Sequence, residues 1–212
     1  MKVGIRLPLP CYTKSGNQTV TNKLCSITNQ LEIKWPPHCC VPAFLHAALG
    51  KCEVALPDPL KLPGLLGVQV GPNDLNPLQL DITKDLNQRG ITREQAMACI
   101  NDYFKKFYPA LMFRHIPFKE IQFQMYEDVL ASELGKGSVV GIGVDFTMLS
   151  NGSGDICRHV LRVESLIKGK AVLFDDSHEL NQPQIEVDFF KIEQAALSIS
   201  DGYWVVGKSI AI

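Results

Sequence analysis

At Gly135-Lys136-Gly137 the sequence changes character, and any fold for this chain has to respect the change. Before that point apolar residues recur at helical spacing, with helix starts and stops marked by proline, capping residues and glycine. After it come β-branched and aromatic runs separated by turn residues: 138–146, 159–166, 171–174 and 203–207 read as strands. The polar turn Asn151-Gly152-Ser153-Gly154-Asp155 separates the first two, and Lys168-Gly169-Lys170 reads as a hairpin turn between the next two. A short helix near 188–196 precedes the closing strand. Helices gathered early and strands gathered late predict an α+β fold with an antiparallel, C-terminal sheet.

Residues 1–37 hold short alternations, Val3-Gly4-Ile5-Arg6-Leu7 and Leu31-Glu32-Ile33-Lys34-Trp35, that read as extended segments until Pro36-Pro37 interrupts. From Cys39 to Leu49 the run Cys-Cys-Val-Pro-Ala-Phe-Leu-His-Ala-Ala-Leu reads as a buried helix, with Pro42 in the first turn where it is tolerated and Gly50 as the stop. The proline- and glycine-rich stretch 53–75 reads as an irregular insertion, and Leu62-Pro63-Gly64-Leu65-Leu66-Gly67 within it as a loop covering the core in preference to a mobile lid. A helix from Asp74 or Asn76 to Asn87, a second from the Thr92/Gln95 capping box to about Phe107, and a third over 118–134 complete the helical half.

Length and composition narrow the function. A chain of 212 residues that is 46% hydrophobic can bury one core, so a single domain over 1–212 is expected. A formal charge of -1 gives no electrostatic ground for a nucleic-acid partner. Without an apolar run of spanning length or a signal-type N-terminus, no membrane partner is expected and the location expected is cytoplasmic. Seven cysteines at irregular spacings do not suggest a disulfide framework, and most are read as free thiols.

Position then singles out one of those thiols. Cys40 stands where the apolar helix starts, and the unpaired N–H groups and positive end of a helix stabilise a negative sulfur, the reactive form. An imidazole from another element can take the sulfur's proton, and a carboxylate can orient that imidazole from its other nitrogen. The hairpin centred near Gly169 brings the start of one strand, at His159, across from the end of the next, at Asp175-Asp176, so a carboxylate there can reach the ring. Cys40, His159 and Asp176 are therefore the expected catalytic set, with Cys39 and Asp175 as the neighbouring alternatives.

These residues resemble a family. Cys40-Val41-Pro42-Ala43-Phe44-Leu45 is similar to the Cys-Gly-Pro-Ala-x-Leu signature of the double-glycine leader peptidases, the papain-like processing domains of bacteriocin export, and of their stand-alone relatives. Gly137-Ser138-Val139-Val140-Gly141-Ile142 resembles the family's Gly-x-Pro-Val strand, and Arg158-His159-Val160-Leu161-Arg162-Val163 its Gly-His-x-Val-x-Val strand. Val172-Leu173-Phe174-Asp175-Asp176-Ser177 resembles the strand ending in Asn-Asp-Pro, which maps the orienting carboxylate to Asp176. The resemblance implies a papain-like cysteine peptidase acting on a peptide or protein through an acyl-enzyme, with no cofactor.

Two departures stand out. Val41 replaces the glycine after the nucleophile, and Lys34 stands where the family carries its oxyanion-hole glutamine, leaving Gln30 as the nearest glutamine upstream. Rival readings are an acyltransferase, transglutaminase-like or deamidase enzyme using the same intermediate, and a non-catalytic peptide-binding module. A zinc site drawn from His38, Cys39, Cys40, His46, Cys157 and His159 has the right ligand types but no Cys-x-x-Cys pair, so no metal is expected. His46, His115 and His178 are read as structural, and Gly141-x-Gly143 lies inside a strand pattern where no nucleotide loop would form.

Overall fold

The computed structural model describes residues 20–21, 35, 39–59, 61–66, 93–122, 125–150, 155–177 and 184–209. The expected segments at 3–7 and 31–34, the helix from 74 or 76 to 87, and Gln30, Lys34, His38 and His178 lie outside them. In chain order the elements are β1 (Val20–Thr21), α1 (Cys40–Lys51), α2 (Lys61–Leu65), α3 (Arg93–Phe107), β2 (Leu111–Pro117), α4 (Tyr126–Gly135), β3 (Val139–Asp145) and α5 (Phe146–Leu149). Then follow β4 (Arg158–Ile167), β5 (Lys170–Phe174), β6 (Gln184–Asp188), α6 (Phe189–Ser198) and β7 (Gly202–Lys208).

The strands form one antiparallel sheet in the order β2-β7-β3-β4-β5-β6, with β1 paired to the far end of β4. Alternation along each strand sends side chains to two apolar layers. Val139, Val160, Trp204 and Val206 meet α1 and α3 on one face, while Val140, Ile142, Leu161 and Val205 meet α4 and α6 on the other. α1 is apolar nearly all round because it is enclosed. Phe44, Leu45 and Leu49 are fully buried, each worth roughly 1.5–3 kcal/mol of transfer from water. Phe44 sits over Gly141 of β3, where even a methyl group would meet its ring at 3.0 Å.

The helix expected over 118–134 is corrected: among the described residues a 3-10 turn, Phe118–Glu120, precedes α4, which begins only at Tyr126. Phe118 is held as a fixed anchor instead: its N–H donates to the Asp201 carbonyl, and its ring stacks on Tyr126 and meets Tyr203. β2, just before it, was not foreseen and completes the sheet on the β7 edge. Inside the irregular stretch a short helix forms, α2, which lays Leu62 and Leu66 into the core beside α1. That is the core-covering role expected of this segment.

The turn between β4 and β5 decides the site. Lys168 (φ 51°) and Gly169 (φ 73°) are both left-handed, the two-residue hairpin turn that suits strand twist. Pairing from it runs Ile167↔Lys170, Leu166↔Ala171, Ser165↔Val172, and then slips: Val163 faces Leu173 and Arg162 faces Phe174. Glu164 is the extra residue of a β-bulge.

Candidate active site

Cys40 opens α1 and is partly accessible, whereas Cys39 is wholly buried in the core layer. Cys39 serves as the N-cap through its backbone: its carbonyl accepts from Ala43 N at 2.8 Å, and no side chain caps the helix. The first N–H groups of a helix have no acceptor within it, Pro42 has no N–H to satisfy, and no acidic residue occupies the first turn. The positive end of α1 is thus open at Cys40.

His159, near the start of β4, is 3% exposed and hydrogen-bonds Cys40. Its Nε2 lies 3.0 Å from Oδ1 of Asp175, which leaves Nδ1 as the ring nitrogen for sulfur. The Phe146 ring stands edge-on to the imidazole at 6.2 Å. Burial alone would lower the pKa of this imidazole, but hydrogen bonds to Asp175 and Cys40 and the charges of both overcome it and raise it to about 10. Asp175 is fully buried, and Oδ1 also accepts from the N–H (3.0 Å) and hydroxyl (2.6 Å) of Ser177.

The carboxylate on the imidazole is therefore Asp175, a correction to the expected Asp176. Continued without interruption, the pairing set by the Lys168-Gly169 turn would place Asp176 opposite Leu161, on the His159 side of the ladder. The bulge at Glu164 removes one residue from that count, so the register that ends at Arg162↔Phe174 carries Asp175 to that place and Asp176 one step beyond it. There Asp176 accepts from Arg162 Nε at 2.8 and 3.0 Å and from Nη2 at 2.7 Å. Arg162 also pairs with Glu164, whose two oxygens accept from Lys51 Nζ at 2.9 and 2.8 Å. Burial pushes the Asp176 pKa up against the opposing pull of Arg162. Burial, with Arg162's charge, brings Lys51 down to about 7.

The structure thus brings Cys40, His159 and Asp175 together and gives Cys39 and Asp176 other work. Lys51, Arg162 and Glu164 were not singled out in the sequence, although the phase of apolar residues along β4 slips at Glu164-Ser165, which is the mark of a bulge. His46 is a core residue packed against Trp35 at 5.7 Å, its pKa lowered by burial. His115 is bound to Asp201 at 2.8 Å and lies against Trp204. Both have the structural roles expected.

No family model matches the sequence, and no curated protein matches it. Among solved structures, the chain is similar to one provisionally assigned as a C39-like peptidase from Bacillus anthracis, with a TM-score of 0.55 and 14% sequence identity, over 92% of this chain and 100% of that one. The likeness shows an α+β, papain-like fold of the C39-like peptidase kind, as the resemblance at Cys40 and His159 implied. No helix among the described residues is long and apolar enough to cross a membrane.

Proposed function

We propose that the chain is a cysteine peptidase in which Cys40 is the nucleophile, His159 the general base and acid, and Asp175 the orienting carboxylate. The observation that carries this reading is the unbroken line from a partly accessible cysteine at a helix start with no side-chain cap, through a buried imidazole, to a fully buried carboxylate. Cys40 Sγ passes its proton to His159 and attacks the carbonyl carbon of a peptide bond; the imidazolium, stabilised by Asp175, gives that proton to the leaving amine. Water, deprotonated by His159, then releases the acyl group and restores the thiol.

The carbonyl oxygen gathers charge during both steps, and the backbone N–H of Cys40 at the open end of α1 supplies a donor. Gln30 or Lys34 would supply the second. The same acyl-enzyme could pass its acyl group to an amine, so transferase and deamidase activities are separated from hydrolysis by the product. A cytoplasmic location goes with this reading, supported by seven cysteines whose irregular spacing makes no disulfide framework.

Iodoacetamide labelling followed site by site by peptide mass spectrometry tests the proposal. Cys40 should label selectively near pH 6, and His159→Ala should abolish that selectivity. Slow labelling of Cys40 in both proteins sinks the catalytic reading.

A further inference from the structure

Beyond Cys40, His159 and Asp175, the most unusual feature is a chain of four charged side chains, largely removed from water, running Lys51–Glu164–Arg162–Asp176. Its members belong to the three segments that carry the site. Lys51 is the last residue of α1, whose first residue is Cys40. Arg162 and Glu164 lie on β4, three and five residues beyond His159. Asp176 adjoins Asp175, in the turn just past β5.

The last pair of the ladder is Arg162↔Phe174, immediately before Asp175, and side chains tie the segment beyond it back to β4. Asp175 bonds to His159, and Asp176 to Arg162 three residues further along the same strand. A rotation of the backbone that moved Asp175 off the imidazole would also tear Asp176 from a fork making three hydrogen bonds, with the guanidinium packed at 4.9 Å over Phe174.

We propose that this ionic chain is the positioning frame of the site: Arg162 pins the Asp175-bearing turn to the strand that carries His159, and Glu164 and Lys51 extend the pin to the helix that carries Cys40. None of the four touches the reacting atoms. The bulge at Glu164 is what makes the frame possible, because it turns Asp176 toward Arg162 and offers a carboxylate to both cations. This inference rests on the reading of Cys40 and His159 given above.

Removing Arg162 alone would leave Asp176 buried without a counter-charge and could unfold the protein. The test is therefore the double variant Arg162→Met/Asp176→Leu, which keeps volume and leaves Lys51 and Glu164 to pair with each other. Two readouts are taken on the folded protein: the NMR titration of His159, and the alkylation rate of Cys40 at pH 6 relative to exposed Cys157. The imidazole pKa should fall by at least about one unit, a tenfold loss of proton affinity, and the rate ratio should fall by roughly tenfold, as for a small misplacement of reacting groups.

A folded double variant with both values unchanged overturns the proposal. If that variant does not fold, Lys51→Met decides, since it cuts only the link to α1: a lower rate ratio is expected, and an unchanged ratio overturns the proposal. If wild-type labelling of Cys40 proves independent of His159, it is the peptidase reading that has failed. The frame is then judged on the imidazole titration, which requires no reaction.

Discussion

Asp175→Asn separates the charge of the orienting group from its shape. The amide has nearly the same volume, and its oxygen can still accept from the N–H and hydroxyl of Ser177, now 3.0 and 2.6 Å from Oδ1. Only the negative charge facing the ring is lost. The imidazole stands at about 10 in place of an ordinary 6.5, a preference for the imidazolium of about 5 kcal/mol. Asp175 and Cys40 each contribute a hydrogen bond and a charge to it, and both work against burial. Removing the charge of Asp175 should therefore lower the imidazole pKa, by on the order of one to two units or ten- to a hundredfold in proton affinity.

His159 is followed by NMR titration, and Cys40 by its alkylation rate at pH 6. Both should fall by about that factor, with only a modest change in urea stability. Asp176→Asn should weigh more on stability, because Arg162 then keeps Glu164 but loses the charge of its second buried partner, a loss of up to about 3–5 kcal/mol for a pair broken from one side, with a smaller effect on the imidazole through the loosened frame. A titration of His159 in Asp175→Asn that stays within about half a unit of wild type, or a larger loss of imidazole basicity in Asp176→Asn, would refute the assignment of the two carboxylates.

Three further outcomes follow from the packing and the charges. In native-state labelling Cys40, Cys99 and Cys157 should react while fully buried Cys39 stays protected until urea unfolds the protein; native labelling of Cys39 at the rate of Cys40 would contradict the helix start described here. Gly202→Ala should cost about 1–3 kcal/mol or more in urea unfolding, since the added methyl presses on the Ile116 backbone oxygen, yet Cys40 labelling in the folded variant should be unchanged. Lys51→Met should alter the pH dependence of stability. His159, raised from 6.5 to about 10, contributes stability that is full below 6.5 and lost as pH rises toward 10. Lys51, lowered from 10.5 to about 7, carries a penalty that is full below 7 and relieved as pH rises toward 10.5. The two slopes oppose each other in wild type, so removal of Lys51 should make stability fall more steeply between pH 7 and 10, and an unchanged slope in urea melts would count against the pair.

Much of the fold was legible because its signals are local. The apolar run between Pro36-Pro37 and Gly50 marks α1 to within two residues, and β-branched runs mark β3, β4, β5 and β7. Phe118 misled because helical spacing continues through it, whereas its burial against Tyr126 and Tyr203 depends on a β7 that lies more than eighty residues away. β2 escaped for a related reason: Leu111-Met112-Phe113-Arg114-His115-Ile116 acquires its strand character from pairing with β7 along its whole length.

Cys40 and His159 could be found from sequence because each sits at an element boundary that local signals mark. The carboxylate could not be chosen that way, since Asp175 and Asp176 differ only in their place past the ladder's end, and place is a matter of counting along the hairpin. One inserted residue reverses the count. The apolar phase of β4 does carry a trace of it: Leu161 and Val163 share a face with Leu166, an odd step that strict alternation forbids. A bulge was therefore readable at Glu164-Ser165, and with it the exchange of the two aspartates. The same inserted residue offers its carboxylate to Lys51 and Arg162, so the residue that hid the orienting group from a sequence reading is also the one that ties α1 to β4.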